Sequence, residues 1–224
     1  EVVLTTTILD ADLMVDVNNS LYTLEFGSST TTATNYMNVL VGAVSAIYLR
    51  DVNVRLRISS LTIWTTADPF PGASSSAQLV SYRDWCNINR TGVTRDLAHL
   101  FANGNVTNYG GIAYLDVLCD GTYGYGVSNI YTGVSFPVAS YMWDVNVTAH
   151  ELGHNFGARH ANSLACTQDT QAVTLSGSCT STEYGDRFDI MGDKGNASVG
   201  GPLFSTWHRE KIGQLLGTQA TVSQ

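Results

Sequence analysis

The sequence predicts an α/β fold, and three observations carry that prediction. Strand-like apolar runs alternate with helical periodicities as far as residue 156. Beyond that point the chain is rich in Ser, Thr, Gly and Asp, with little periodicity. The hydrophobic fraction is 44% and the charged fraction 13%, as in an ordinary globular chain. At 224 residues the chain is long enough for one sizeable domain or two closely packed lobes. The expected organisation is a single domain, 1–224, with an α/β lobe over 1–156 and a smaller irregular lobe over 157–224. A cleft between two such lobes is the natural place for a site.

The elements follow in order. Val2 to Val17 is rich in Val, Ile, Leu and Thr and predicts a buried strand. Ser28 to Thr32 offers several N-caps, after which Tyr36, Leu40, Val44 and Ile47 recur at helical spacing. Val52, Val54, Leu56 and Ile58 alternate with polar residues, as in a half-buried strand. Asp68 to Gly72 is a loop, Ala77 to Asn87 a helix and Asp96 to Phe101 a short strand. A glycine turn at Gly110 leads into a strand over Gly111 to Leu118, followed by the glycine-rich Gly121 to Gly126 and a strand over Val127 to Tyr131. Asp144 is placed to cap a helix running to about Phe156, and a last helix spans Thr206 to Leu216.

Charge excludes some partners. The net charge is −8 and the two lysines are Lys194 and Lys211, so neither nucleic acid nor an anionic membrane surface is expected to bind. The longest apolar-rich stretch, Met37 to Leu49, is interrupted by Asn38, Gly42 and Ser45 and falls short of the roughly 20 residues that span a bilayer. The start at Glu1, with no initiator Met and no leader, fits a mature form that has lost a leader and a pro-segment, or a domain of a longer chain. Four cysteines without CxxC spacing suggest two disulfides and an oxidising, extracellular compartment. Cys166–Cys179 is the expected local bridge and Cys86–Cys119 the other; the remaining pairings, and free thiols, stay open.

The chemistry concentrates in His150-Glu151-Leu152-Gly153-His154-Asn155-Phe156-Gly157-Ala158-Arg159-His160, which holds three of the five histidines. On a helix, His150 and His154 leave the same face about 6 Å apart, a separation that suits two ligands on one cation. Glu151 is rotated about 100° from His150, where it can reach a metal-bound water. Gly157 can take a positive φ, end the helix and turn His160 back as a third nitrogen ligand. Three nitrogens with an open fourth position define a catalytic zinc site; the lack of thiolates and of an oxygen cage disfavours other metals. Glu151 is then the general base that activates water and later protonates the leaving amine.

The pattern HExxHxxGxxH resembles the zinc signature of the metzincin metallopeptidases. Within them the chain is most similar to the reprolysin-like (adamalysin) and gametolysin-like groups, through "HELGHNFG", "GGIAYLDVLC", "YGDRFDIMG" and "FSTWHREKIG". The chain departs from relatives at Asp193, where astacins and serralysins carry Tyr, and at Ala161, where matrixins carry Ser and adamalysins usually Asp. The resemblance implies a twisted, mostly parallel sheet with an antiparallel edge strand. It implies a Met-turn at Met191, whose thioether packs under the histidines without ligating. It also implies that Gly111, Ile112 and Ala113 hold substrate backbone by strand addition, and that residues around Asp193 to Val199 wall a specificity pocket.

The resemblance thus implies a secreted, monomeric zinc endopeptidase acting on proteins or peptides. The alternatives are a chemically silent zinc-containing binding module of the same fold and a zinc hydrolase of a non-peptide bond; Glu151 argues against the silent module. Asp116, Asp120, Asp186 and Asp193 are candidates for a structural calcium but lack EF-hand-like spacing, and read better as solvated or capping residues. His99 reads as a core residue and His208 as structural. The sequons at Asn18, Asn89, Asn105, Asn146 and Asn196 read as chance.

Overall fold

The structure, a computed structural model, describes residues 8–72, 74–104, 110–131, 143–174, 178–192 and 203–220. Its elements are β1 (Leu9–Val17), α1 (Asn19–Leu24), α2 (Thr30–Val52), β2 (Val54–Ile63), α3 (Ser75–Asn89), β3 (Leu97–Asn103), β4 (Gly111–Ala113), β5 (Tyr125–Ile130), α4 (Trp143–Asn155), β6 (Ser163–Gln168), β7 (Gln171–Val173), β8 (Cys179–Thr182) and α5 (Thr206–Ala220).

The main sheet has the order β2-β1-β3-β5-β4. The first four strands are parallel neighbours, and β4 pairs antiparallel with β5 at the edge. Alternation along the strands sorts side chains to two faces. Leu13, Val15 and Val17 of β1 face the core shared with α2 and α4, while Met14 faces the core under α3. β3 divides likewise, with Leu97 and Phe101 on the first side and Ala98, Leu100 and Ala102 on the second.

Ser29 caps α2 by accepting from Thr32 N, and Asn53 closes the helix at φ 56°. Between these ends Ala33, Met37, Leu40, Val41, Val44 and Ile47 are buried at helical spacing, and the Tyr48 hydroxyl donates to Ala149 O at 2.9 Å. This contact locks α2 to α4, the helix that carries His150, Glu151 and His154.

Several expectations need correction. Asp144 is not the N-cap of α4 but lies in its first turn, where it accepts from Tyr36 Oη and from Tyr131 N. The strand expected over Gly111 to Leu118 ends at Ala113. Past it Asp116 takes φ 61°, and Asp116 N and Val117 N donate to His154 O and Asn155 O, both at 2.9 Å. The chain leaves the sheet to satisfy the last carbonyls of α4.

The expected Cys86–Cys119 bridge is absent. Cys86 is a buried free thiol in the apolar layer of α3, and Cys119 is an exposed free thiol that donates to Asp96 Oδ1 at 3.4 Å. Cys166–Cys179 is formed, between directly opposed residues of β6 and β8 with Cα atoms 4.0 Å apart. The bridge belongs to a small sheet, β7-β6-β8, where sequence reading saw only irregular chain. Of these strands' residues only Cys166 is buried, so no apolar alternation marks them. The strand expected over Val2 to Val17 is observed from Leu9; its residues 2–7 lie outside the described residues.

Candidate metal centre

Helix α4 ends in a motif that aims the third histidine. Gly157 takes φ 86°; its N–H donates to His154 O at 2.9 Å, and Ala158 N–H donates to Gly153 O at 2.8 Å. These two bonds are the Schellman pair, and a left-handed residue is what closes it. The chain reverses, and His160 returns beside His150 and His154.

The imidazole centroids lie 4.7 Å (His150–His154), 4.9 Å (His154–His160) and 5.5 Å (His150–His160) apart. One ligand atom from each lies within 4.8 Å of the others, a spread that one cation can bridge. Each Nδ1 is already engaged: His150 with Ile190 O at 2.9 Å, His154 with Ala158 O at 2.8 Å and His160 with Glu183 Oε1 at 2.7 Å. An acceptor at each Nδ1 fixes the tautomer with the proton on Nδ1, which leaves the Nε2 lone pairs for a metal. Burial holds the His154 imidazole down at about 4, so it stays neutral and able to ligate at ordinary pH. Three imidazoles without thiolates fit zinc.

Glu151 is 5% exposed, and burial pushes its carboxyl up to about 8. A Cβ on Gly111 would stand 2.6 Å from Glu151 Cγ and 2.7 Å from its Oε1, so β4 and the carboxylate touch through a glycine that cannot be enlarged. Asn155 Nδ2 donates to Tyr114 O at 2.9 Å and Tyr125 O at 3.0 Å, tying α4 to the ends of β4 and β5. Gly110 O and Tyr114 N bond inward to β5. By antiparallel alternation the backbone polar groups of Gly111 and Ala113 face off the sheet edge.

Met191 is fully buried. A Cβ on Gly153 would lie 2.5 Å from its Sδ, so the thioether packs on the helix backbone next to His154. Ala161 N donates to Met191 O at 2.8 Å, and Ile190 O accepts from His150, so this turn supports the ligands from both sides. Below it Asp189 accepts from Met191 N, Ser205 N and His208 Nδ1; these bonds outweigh burial and hold its carboxyl at about 2. His208 is thus a structural partner of Asp189. His99 is a core residue, fully buried and bonded through Nε2 to Ser128 Oγ at 2.8 Å.

A cleft of about 730 Å³ opens on the cluster, lined by Gly111, Ile112 and Ala113 on one side and by His160, Glu183 and Tyr184 on the other. Glu183 and Tyr184 carried no signal in the sequence: they lie more than twenty residues past His160, in a Ser/Thr-rich stretch. Asp193 to Val199, expected to wall a specificity pocket, lies outside the described residues. Asp120 and Asp186 spend a carboxylate oxygen on nearby backbone N–H groups, as turn residues do. Asn18 caps α1 and Asn146 is buried in α4.

A family model described as metallo-peptidase family M12B, reprolysin-like, matches residues 34–161. Among known proteins the chain is similar to the snake venom metalloproteinase fibrolase of Macrovipera lebetinus, with 28% identity over 157 residues, 68% of this chain and 73% of that one. Among solved structures it is similar to a chain described as the structure of a chaperone-substrate complex, at a TM-score of 0.59 and 14% identity. That match covers 92% of this chain and about a third of the solved one, and it speaks to fold alone.

Proposed function

The chain belongs to the M12B reprolysin-like metallopeptidases, and from that membership we propose that it is a secreted zinc endopeptidase with Glu151 as its general base and acid. The observation that carries the proposal is the convergence of three imidazoles, each fixed at Nδ1, beside one buried carboxylate. His150, His154 and His160 would hold zinc. Bound there, the metal supplies Lewis acidity, which acidifies water and polarises a peptide carbonyl.

The protein's own groups do the rest. Glu151 takes the proton of the attacking water. Burial raises its affinity for that proton, and a neighbouring cation lowers it, so the carboxylate can both accept and release within one cycle. It then hands the proton to the leaving amine. Gly111 and Ala113 offer outward backbone groups to an extended peptide, which would lie as an added strand along β4. Ile112 sits between them as part of the same platform. Met191 supports the ligand floor as a Met-turn residue. On this reading 1–224 acts as one catalytic domain, with 1–156 and 157–224 flanking the cleft.

Secretion is supported by the Cys166–Cys179 disulfide and by the likeness to a venom metalloproteinase. Among the described residues no helix is long and apolar enough to cross a membrane. The test is cleavage of an unfolded protein substrate by the parent chain and by Glu151→Gln, with zinc content measured on both. Cleavage by the parent alone, with zinc in both, supports the proposal. A zinc-bearing parent that cuts nothing would point instead to a silent binding module.

A further inference from the structure

Of the three histidines, His150 and His154 set their Nδ1 against backbone carbonyls, and His160 sets its own against a carboxylate. That carboxylate, Glu183, lies in a tight turn closed by Gly185 N donating to Thr182 O at 3.1 Å. The next residue, Tyr184, lays its ring on the His160 imidazole at a centroid distance of 3.8 Å and an interplanar angle of 33°. It reaches that position at φ 59°, a left-handed conformation that a bulky side chain rarely adopts and that this turn position usually gives to Gly or Asn. Backbone strain of this kind persists where the surroundings over-determine it, and it concentrates at functional sites.

The surroundings are specific. Gly185 is pressed against Ser163 so closely that a Cβ would stand 2.1 Å from Ser163 Oγ. Asp186 N donates to Ala161 O at 3.2 Å, directly behind His160. The turn leaves the end of β8, and β8 is fastened to β6 by Cys166–Cys179. The small sheet, its disulfide and the turn therefore form one scaffold, and what it presents to the cleft is a carboxylate and an aromatic face, both on His160.

We propose that Glu183 and Tyr184 are a clamp on the third metal ligand, with Glu183 holding the His160 imidazole through its Nδ1 and Tyr184 fixing its ring plane, so that the small disulfide-bonded sheet sets how tightly the centre holds zinc. The clamp rests on the zinc reading above. His160 needs it most: His150 and His154 are held by a helix, whereas His160 follows a glycine turn and lies in no helix or strand. Both clamp residues are positioning residues, since neither has to touch substrate.

The experiment is competition of a chromophoric chelator for zinc on the full chain, together with the rate of zinc release. Glu183→Gln keeps an acceptor but removes the charge, and about tenfold weaker zinc binding is expected; Glu183→Ala removes both and should lose tenfold or more. Tyr184→Gly relieves the strained φ, so the metal-free melting temperature should hold or rise while zinc leaves several-fold faster. A merely structural role would move both readouts the same way. Because the Glu183 side chain is 66% exposed, its variants leave the core intact. A parent that binds zinc with a Glu183→Ala variant binding it within about twofold overturns the clamp alone. A parent that binds no zinc overturns the functional reading and the clamp with it.

Discussion

Glu151 and Gly111 show how little space the buried carboxylate has. Removing the base with Glu151→Gln should lower turnover by about a hundredfold to ten-thousandfold while zinc content stays near one per chain. Gly111→Ala is subtler. Its Cβ meets Glu151 and also Val127 O at 2.7 Å, and the backbone oxygen cannot yield. We expect kcat/KM to fall by about a hundredfold with bound zinc unchanged, because a displacement near 1 Å at the chemistry costs that much. His99 supplies a separate expectation. Burial holds its imidazole down at about 3, below the ordinary histidine value, so the unfolded chain binds the proton more readily. The contribution of His99 to stability is therefore full above about pH 6.5 and declines as pH falls, by on the order of 3 kcal/mol at pH 4. The difference in urea stability between the chelated parent and His99→Gln should show this decline across that range, and a pH-independent difference would refute it. The gathering of His150, His154 and His160 beside Glu151 was legible because local spacing sets it: the first two histidines and Glu151 lie on one helix, and Gly157 turns His160 back to them. Glu183 and Tyr184 were not, because only tertiary folding brings them to His160.

Among the elements, α4 carries the most constraint. Its face toward Met191 leaves room for hydrogen only at Gly153, so Gly153→Ala should destabilise the fold by about 1–3 kcal/mol unless Met191 is shortened with it. Thermal melts of the single and double variants would check this; equal stabilities would contradict the packing. The Schellman end of α4 could be foreseen from Gly157. The early exit of β4 could not, because residues 114–118 look apolar enough for a strand yet are drawn off to the carbonyls of α4. The same limit applies to the cysteines. Cys166 and Cys179 close a short loop, whereas Cys86 is committed to the apolar layer of α3, where burial pushes its thiol up to about 12. Replacing the 166–179 bridge by Ala residues should lower stability by about 3 kcal/mol.

For the whole molecule, β2, β1 and β3 run parallel because α2 and α3 carry the chain back between them, and β5 joins β3 as the fourth parallel neighbour. The antiparallel edge is what gives the cleft a strand with no outer neighbour among the described residues, and the family resemblance rather than periodicity foretold it. Zinc, if bound about a thousandfold above its Kd, should add about 4 kcal/mol to folding, so a strong chelator should lower Tm by roughly 8–16 °C. The most direct test of the central claim pairs metal analysis with digestion of an unfolded protein. We expect about one zinc per chain in both parent and Glu151→Gln, with cleavage by the parent only and none after chelation. Cleavage that survives in Glu151→Gln, or a parent that cuts without stoichiometric zinc, would contradict it.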